Sequence, residues 1–340
     1  MFFHCLGADR QPQAWNPPGP IDDLIDTWYF GRALAAMERE LEVDGLTFYV
    51  TFDANTLPRY GDDVVAVLIG DEWARVPAYL SRVRAVFRNL STTPSVGCRP
   101  LAWPSPETFS ALLPAGRTAL QRAPGVLRQW RAEVASARGR GPRPAPQIEV
   151  PVGTYNALDL PLTPFAQRRT DVFFAGSVVH VPGQAAGLKA RVMPKTLARE
   201  AMLRNVERLR DRPGVAVDVR LTEGYKESVE SDAGEYSRAF ADARLALVPR
   251  GAVVETHRFF QALKYGCIVV TDSVTPNWFH EQAPIVRLRH WDELDDVVTP
   301  LLGDPARLER LHRAALAWWD GVCSEEAVGR LMARTLNALA

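Results

Sequence analysis

The stretch from 243 to 272, ARLALVPRGAVVETHRFFQALKYGCIVVTD, constrains the fold more than any other part of the chain. An apolar run, Leu245 to Val248, stops at Pro249-Arg250-Gly251. A polar loop follows, then a helix-like run from about Thr256, then Gly266 and a second apolar run, Ile268 to Val270. Short apolar runs around a crossover helix make the parallel unit of an α/β sheet. In open parallel sheets, ligands sit beyond the carboxyl ends of the strands. Arg250 and Arg258 flank that position, close to the free N–H groups of a helix start. Two guanidinium groups beside such a helix end form a site for a doubly charged anion, such as a diphosphate.

Length and charge set the outer bounds. With 340 residues the chain exceeds one ordinary core, which implies two domains. Formal net charge is zero, so no general attraction to nucleic acid or an anionic membrane is expected, and any positive potential is local. Lys189, Lys195, Lys226 and Lys264 are the only lysines among 40 basic residues. This bias toward arginine points to a GC-rich bacterial source and blunts arguments from arginine number alone. Cys5, Cys98, Cys267 and Cys323 are scattered, with no metal-ligand spacing, and read as free thiols in a reducing compartment. The N-terminus has neither the basic lead nor the long apolar segment of a signal peptide, and no apolar run is long enough to span a membrane. A cytoplasmic location is the expectation.

The first half alternates strand-like runs (Thr47–Phe52, Val64–Ile69, Arg84–Phe87) with helical periodicity at Ile21–Leu41, Val76–Arg82 and Arg117–Ala137. The arginine, glycine and proline run at 138–147 reads as a linker, with a nucleic-acid arm as the weaker alternative. The predicted domains are therefore 1–147 and 148–320, with a closing helix at 321–340 that packs back on the first. In the second half, Asp171–Ala175 reads as a buried strand ending in Gly176-Ser177, and Pro194–Arg210 as a helix with proline in its first turn. Strands at Val215–Val219 and Arg244–Val248 frame a helix at Glu235–Asp242. Pro284–Leu288 is a short strand, and helices at 291–302, 304–319 and 324–338 close the chain. Strands separated by helices predict a doubly wound parallel sheet.

Four segments carry a resemblance to a known family: Ile148-Glu-Val-Pro151, Asp171-Val-Phe-Phe-Ala-Gly176, Leu247-Val-Pro-Arg-Gly251 and Arg258-Phe-Phe-Gln-Ala-Leu-Lys-Tyr-Gly-Cys-Ile268. In motif order and in the spacing from Pro249 to Arg258 to Gly266, the region 148–300 resembles the exostosin-like glycosyltransferases. That resemblance implies a GT-B fold, two Rossmann-like domains facing a cleft, with the donor nucleotide sugar held by the C-terminal one. It further implies inverting sugar transfer without a bound metal or other cofactor, and UDP as the favoured carrier. The acceptor would be a hydroxyl of a glycan or small molecule, with no nucleic-acid partner; oligomeric state is left open.

Site residues follow from both lines of reasoning. A departing diphosphate gains negative charge, so a metal-free site must offer fixed positive charge and N–H dipoles. The resemblance places Arg258 at the family's arginine position and Arg250 in its Pro-Arg-Gly motif, and puts Arg191 where relatives often carry a basic residue. Either of the first two could instead be structural, paired with Glu255 or Asp272. Gly176-Ser177 and Gly251 would let backbone approach phosphate without a Cβ in the way. Where relatives carry an acid for the ribose or sugar hydroxyls, this chain has Gln261, and Glu255 is a candidate replacement. Thr256 is the expected helix N-cap and His257 a possible diphosphate donor. The base that inversion requires would come from the first domain, with Asp53 and the pair Asp71-Glu72 as candidates and neighbouring Trp73 as a sugar platform. Gln261 also motivates an alternative: a degenerate member that binds a nucleotide sugar or glycan without turnover, or a scaffold subunit of a polysaccharide pathway.

Overall fold

The computed structural model describes residues 1–6, 11–19, 21, 27–90, 106–155, 157–178, 192–222 and 233–340. It has the fold class expected from the sequence: two Rossmann-like α/β units, each built on a largely parallel sheet. One unit comprises Met1–Pro94, Ala115–Val152 and Ser324–Ala340; the other holds Gly153–Cys323 and the start of a long helix up to Pro114.

The first unit opens with β1 (Phe2–Cys5), β2 (Gln13–Trp15), α1 (Thr27–Glu40), β3 (Thr47–Thr51), β4 (Gly61–Leu68) and β5 (Val83–Arg88). The long helix α2 (Pro106–Ala137) and β6 (Gln147–Glu149) follow. The sheet order is β2-β1-β3-β4-β5-β6, with β2 antiparallel and the other strands parallel in chain order. Strands covered on both faces need continuous apolar runs, and Val64, Val65, Ala66, Val67 and Leu68 of β4 are all fully buried. Residues 138–147, expected as a linker between domains, connect α2 to β6 inside this unit. The helix expected at Val76–Arg82 is only a short 3-10 turn, Leu80–Arg82. Conversely α2 starts well before the expected Arg117 and carries Pro114 and Pro124 inside it, both exposed. Proline removes one backbone donor from a helix, and on a solvent face water satisfies the orphaned carbonyl.

The second unit contains β7 (Thr170–Ser177), α3 (Pro194–Arg210), β8 (Val217–Thr222), α4 (Ala233–Ala241), β9 (Ala243–Leu247), α5 (His257–Lys264) and β10 (Ile268–Thr271). It continues through α6 (Trp278–Glu281), β11 (Val286–Arg287), α7 (Leu294–Leu302) and α8 (Pro305–Trp318); the chain then ends in α9 (Glu325–Asn337) of the first unit. The sheet order is β11-β10-β9-β7-β8, all parallel. One face of α3, with Ala198, Ala201, Met202, Val206 and Leu209 at helical spacing, packs on inward residues of β7, β9 and β10. Burying each large side chain of that cluster contributes about 1.5–3 kcal/mol.

The strand order fixes where a ligand belongs. From β7 the chain steps to β8 on one side, then returns to place β9 on the other, and β10 and β11 continue outward. The winding reverses between β7 and β9, so their carboxyl ends diverge around a crevice, the position at which doubly wound sheets bind ligands. In the first unit the parallel strands follow chain order with no reversal.

Candidate functional site

Four elements meet at that reversal. Strand β7 ends in Gly176-Ser177, β9 runs on through Val248 to Arg250, and the N-terminal turns of α3 and α5 begin nearby. Neither helix has a side-chain cap: Met193 stands before α3, and Thr256 occupies the N-cap position of α5 without bonding the backbone. Both helix starts therefore keep free N–H groups and the positive end of the helix dipole.

Arg258, in the first turn of α5, lays its guanidinium over the Phe174 ring, 5.2 Å from the centroid. Its Nε is buried with no partner, and among the described residues no carboxylate pairs with it. The guanidinium occupies the space a Cβ at position 176 would fill, and Gly176 has φ +145°, a region that side chains disfavour. Position 176 is glycine because Arg258 comes to rest against the backbone of β7.

Two residues of α3 complete the cluster. Lys195, buried, donates from Nζ to Ser177 Oγ at 3.0 Å. Burial first, and then the nearby Arg199 and Arg258, pull its ammonium down to about 7 from the ordinary 10.5. Arg199, also buried, donates from Nε to the Arg250 carbonyl at 3.2 Å and from Nη1 to the Ser177 carbonyl. It stitches the ends of β7 and β9 together across the crevice, and burial beside Arg258 holds its pKa well below normal. Arg250 is buried, with Nε unpartnered, and faces Asp272 at the end of β10; burial raises that carboxyl to about 6 although Arg250 opposes the shift. The two do not form a direct ion pair among the described contacts. Thr256 Oγ1 is likewise buried without a partner. Three mutually repelling cations, two uncapped helix starts and a glycine backbone thus gather at one end of one sheet. An arriving anion relieves that repulsion.

The structure brings the expected Gly176, Ser177, Arg250, Thr256 and Arg258 to one sheet end, and places beside them Lys195 and Arg199, which sequence reasoning did not name. Their signal was present: two basic residues four apart, directly after Pro194, in a chain with four lysines. Arg191 and Cys98 lie outside the described residues. Gly251 adjoins the Thr256 methyl, which would sit 3.6 Å from a Cβ at that glycine.

Two further second-unit candidates, Gln261 and His257, bond to the backbone of the entering segment. Gln261 is buried and donates its amide to the Tyr155 carbonyl. A carboxylate there would have no proton to give, which explains glutamine without reference to a ribose. His257 Nδ1 bonds the Gly153 carbonyl at 2.9 Å, so both side chains tie α5 to the segment that enters the unit. Glu255 is buried near Cys323 and helps push that thiol up.

In the first unit two of the three expected base candidates are engaged by the fold. Asp71 is buried and accepts from Arg75 N at 2.7 Å, Arg75 Nε at 2.9 Å and Arg88 Nη2 at 3.1 Å, with Arg88 itself buried. Both of its carboxylate oxygens are thus taken up within the fold. Asp53 accepts from Asn55 N and Thr56 Oγ1, both at 2.8 Å, and closes its own loop. Glu72 alone of the three is exposed. Trp73 has Arg117 stacked 4.7 Å from its ring centroid, so that face is not an open sugar platform.

Fold and site together define a class: a two-unit α/β protein with a cation-lined crevice at the strand ends of its second unit. No family model matches the chain, and no curated protein matches it. The exostosin-like resemblance therefore stands on its short motifs. Among solved structures the chain is similar to a GtfA/B complex, at 10% identity and TM-score 0.41 over 83% of this chain; it spans 58% of that one. It is similar to sucrose-phosphate synthase from Thermosynechococcus elongatus at 12% identity and TM-score 0.42, covering 95% of this chain and 82% of that one. A third likeness is to the pneumococcal O-GlcNAc transferase GtfA in complex with UDP and GlcNAc, at 9% identity and TM-score 0.41, over 91% of this chain and 60% of that one.

Proposed function

We propose that this protein is a glycosyltransferase that moves a sugar, with inversion, from a nucleoside diphosphate donor to a hydroxyl of a glycan or small molecule. One observation carries the reading: Lys195 and Arg199 on Ser177 and Arg258 against Gly176 converge at the reversal of a doubly wound sheet. In glycosyl transfer from such a donor the bond from the anomeric carbon to the diphosphate breaks, and the leaving group departs with added negative charge. Fixed cations and helix N–H groups stabilise that charge more in the transition state than in the bound donor. In this reading they do so without a metal ion, so a chelator leaves the rate unchanged. UDP is the favoured carrier, by resemblance. Glu72, the exposed acid of the expected pair, is the proposed base.

A thermal-shift series with UDP, GDP, TDP and inorganic pyrophosphate tests the site. A ligand at 100 times its dissociation constant stabilises by about 2.7 kcal/mol. Arg258→Ala should abolish the shift and leave the melting temperature of the free protein near wild type. A nucleotide-independent melting temperature in the wild type overturns the proposal.

A second reading, donor binding without turnover, has one observation in its favour: Asp71 and Asp53 are both engaged in the fold. Glu72→Gln decides between the two. Loss of transfer with retained UDP binding supports catalysis; UDP binding with no transfer in the wild type across acceptors supports the second reading.

A further inference from the structure

Helix α2 presents a second surface that sugar transfer does not use. Phe109, Leu113, Leu120, Leu127 and Trp130 recur at spacings of three, four or seven and fall on one stripe of the helix. A stripe with that period ordinarily faces a core. Here it faces solvent: Leu113 is 81% and Leu120 77% exposed, and Phe109, Leu127 and Trp130 are all exposed as well. The buried face is a different one, where Gly125 lies against Val76 and Arg128 bonds the Val76 carbonyl at 3.1 Å. An exposed apolar stripe of this length marks a docking surface.

Charge identifies the occupant. The whole chain is neutral, yet residues 106–143 hold seven arginines against two glutamates. Arg117 and Arg131 lie along one flank of the stripe, and Arg138 and Arg140 follow the helix end; all are exposed. The exposed acid of the described stretch, Glu133, is bonded to Gln129. A second copy of the chain would bring this basic segment against itself. No helix among the described residues is long and apolar enough to cross a membrane. A helix with leucine and tryptophan on one face and arginines beside it lies in the plane of an anionic lipid surface. We propose that the protein docks peripherally on anionic bilayers through the Leu113-Leu120-Leu127-Trp130 stripe of α2. The apolar side chains enter the acyl boundary and the arginines meet headgroup phosphates.

Vesicle flotation of the full chain tests this, with phosphatidylcholine vesicles and vesicles that also contain phosphatidylglycerol. Wild type should float with the anionic vesicles, remain behind with the neutral ones, and dissociate as salt rises. Leu120→Asp with Leu127→Asp should abolish flotation at an unchanged melting temperature, since both side chains are already in water. Arg131→Gln with Arg138→Gln should lower the partition coefficient about 25-fold, at roughly five-fold per arginine. Failure to float with either vesicle, or equal flotation with both, overturns the proposal. So does self-association in light scattering that the leucine variants abolish without any vesicle binding, which would make the stripe a dimer seam. UDP binding is measured in parallel and should be the same in every variant, so the lipid result stands apart from the donor site.

Discussion

At the scale of single residues, the second-unit site is a problem of like charges held together by backbone. Lys195 is pulled down to about 7 while a free lysine titrates near 10.5. Between those values the unfolded chain binds more protons than the folded one, so the unliganded protein should gain stability as pH rises through that window. Below about 7 the buried ammonium is charged and the penalty is fully present. Anion binding needs the charged form, so UDP affinity should fall as pH rises above about 7. Lys195→Met should flatten both trends, which melting curves and UDP titrations at neutral and alkaline pH would reveal. Gln261→Glu separates its two readings. A carboxylate facing the Tyr155 carbonyl should cost about 1–3 kcal/mol of stability, with no gain in donor affinity; tighter UDP binding would restore the ribose role. Asp71→Asn should cost about 3–5 kcal/mol by stranding the buried Arg88 charge, a loss of fold measurable by denaturant unfolding.

At the scale of elements, close approach decides what the sequence permits. Helix α9 returns to the first unit and lies on α1. Arg39 bonds Glu326 at 2.7 Å, and Asn337 bonds the Glu40 carbonyl at 3.1 Å and accepts from Glu42 N at 3.0 Å. The seam is set by Gly329, where an added Cβ would lie 2.5 Å from Ala36 Cβ and 2.6 Å from the Ala33 carbonyl. Gly329→Ala should therefore wedge the helices apart and cost about 1–3 kcal/mol, despite alanine's better helix propensity. Differential scanning calorimetry checks this; a rise in melting temperature would refute the close contact. Helix α3 was legible to the residue, because Pro194 marks its start and the apolar spacing runs unbroken to Leu209. Helix α2 was legible only from Arg117 onward, because Pro114 reads as a breaker when neighbours are unknown.

At the scale of the whole molecule, the residues of the proposed anion site all belong to the second unit. Protection from hydrogen exchange on adding UDP should concentrate at 174–177, 195–199 and 250–258, and leave the β4 core of the first unit unchanged. Protection confined to β4 and β5 would move the donor site to the other unit.

Local chemistry alone determined the parallel βαβ unit, the strand ends near Ser177 and Val248, and the arginines beside them. Apolar runs, proline and glycine act within a few residues and so are visible in a one-dimensional text. Only the tertiary structure decided which charges share a site. Arg258, Arg199 and Lys195 stand up to 63 positions apart and meet because the winding reverses between β7 and β9. Asp71 shows the converse: the arginine that bonds it, Arg88, lies 17 residues away on the adjacent strand. Electrostatic partners are fixed by distance in space, and spacing along the chain does not encode that distance.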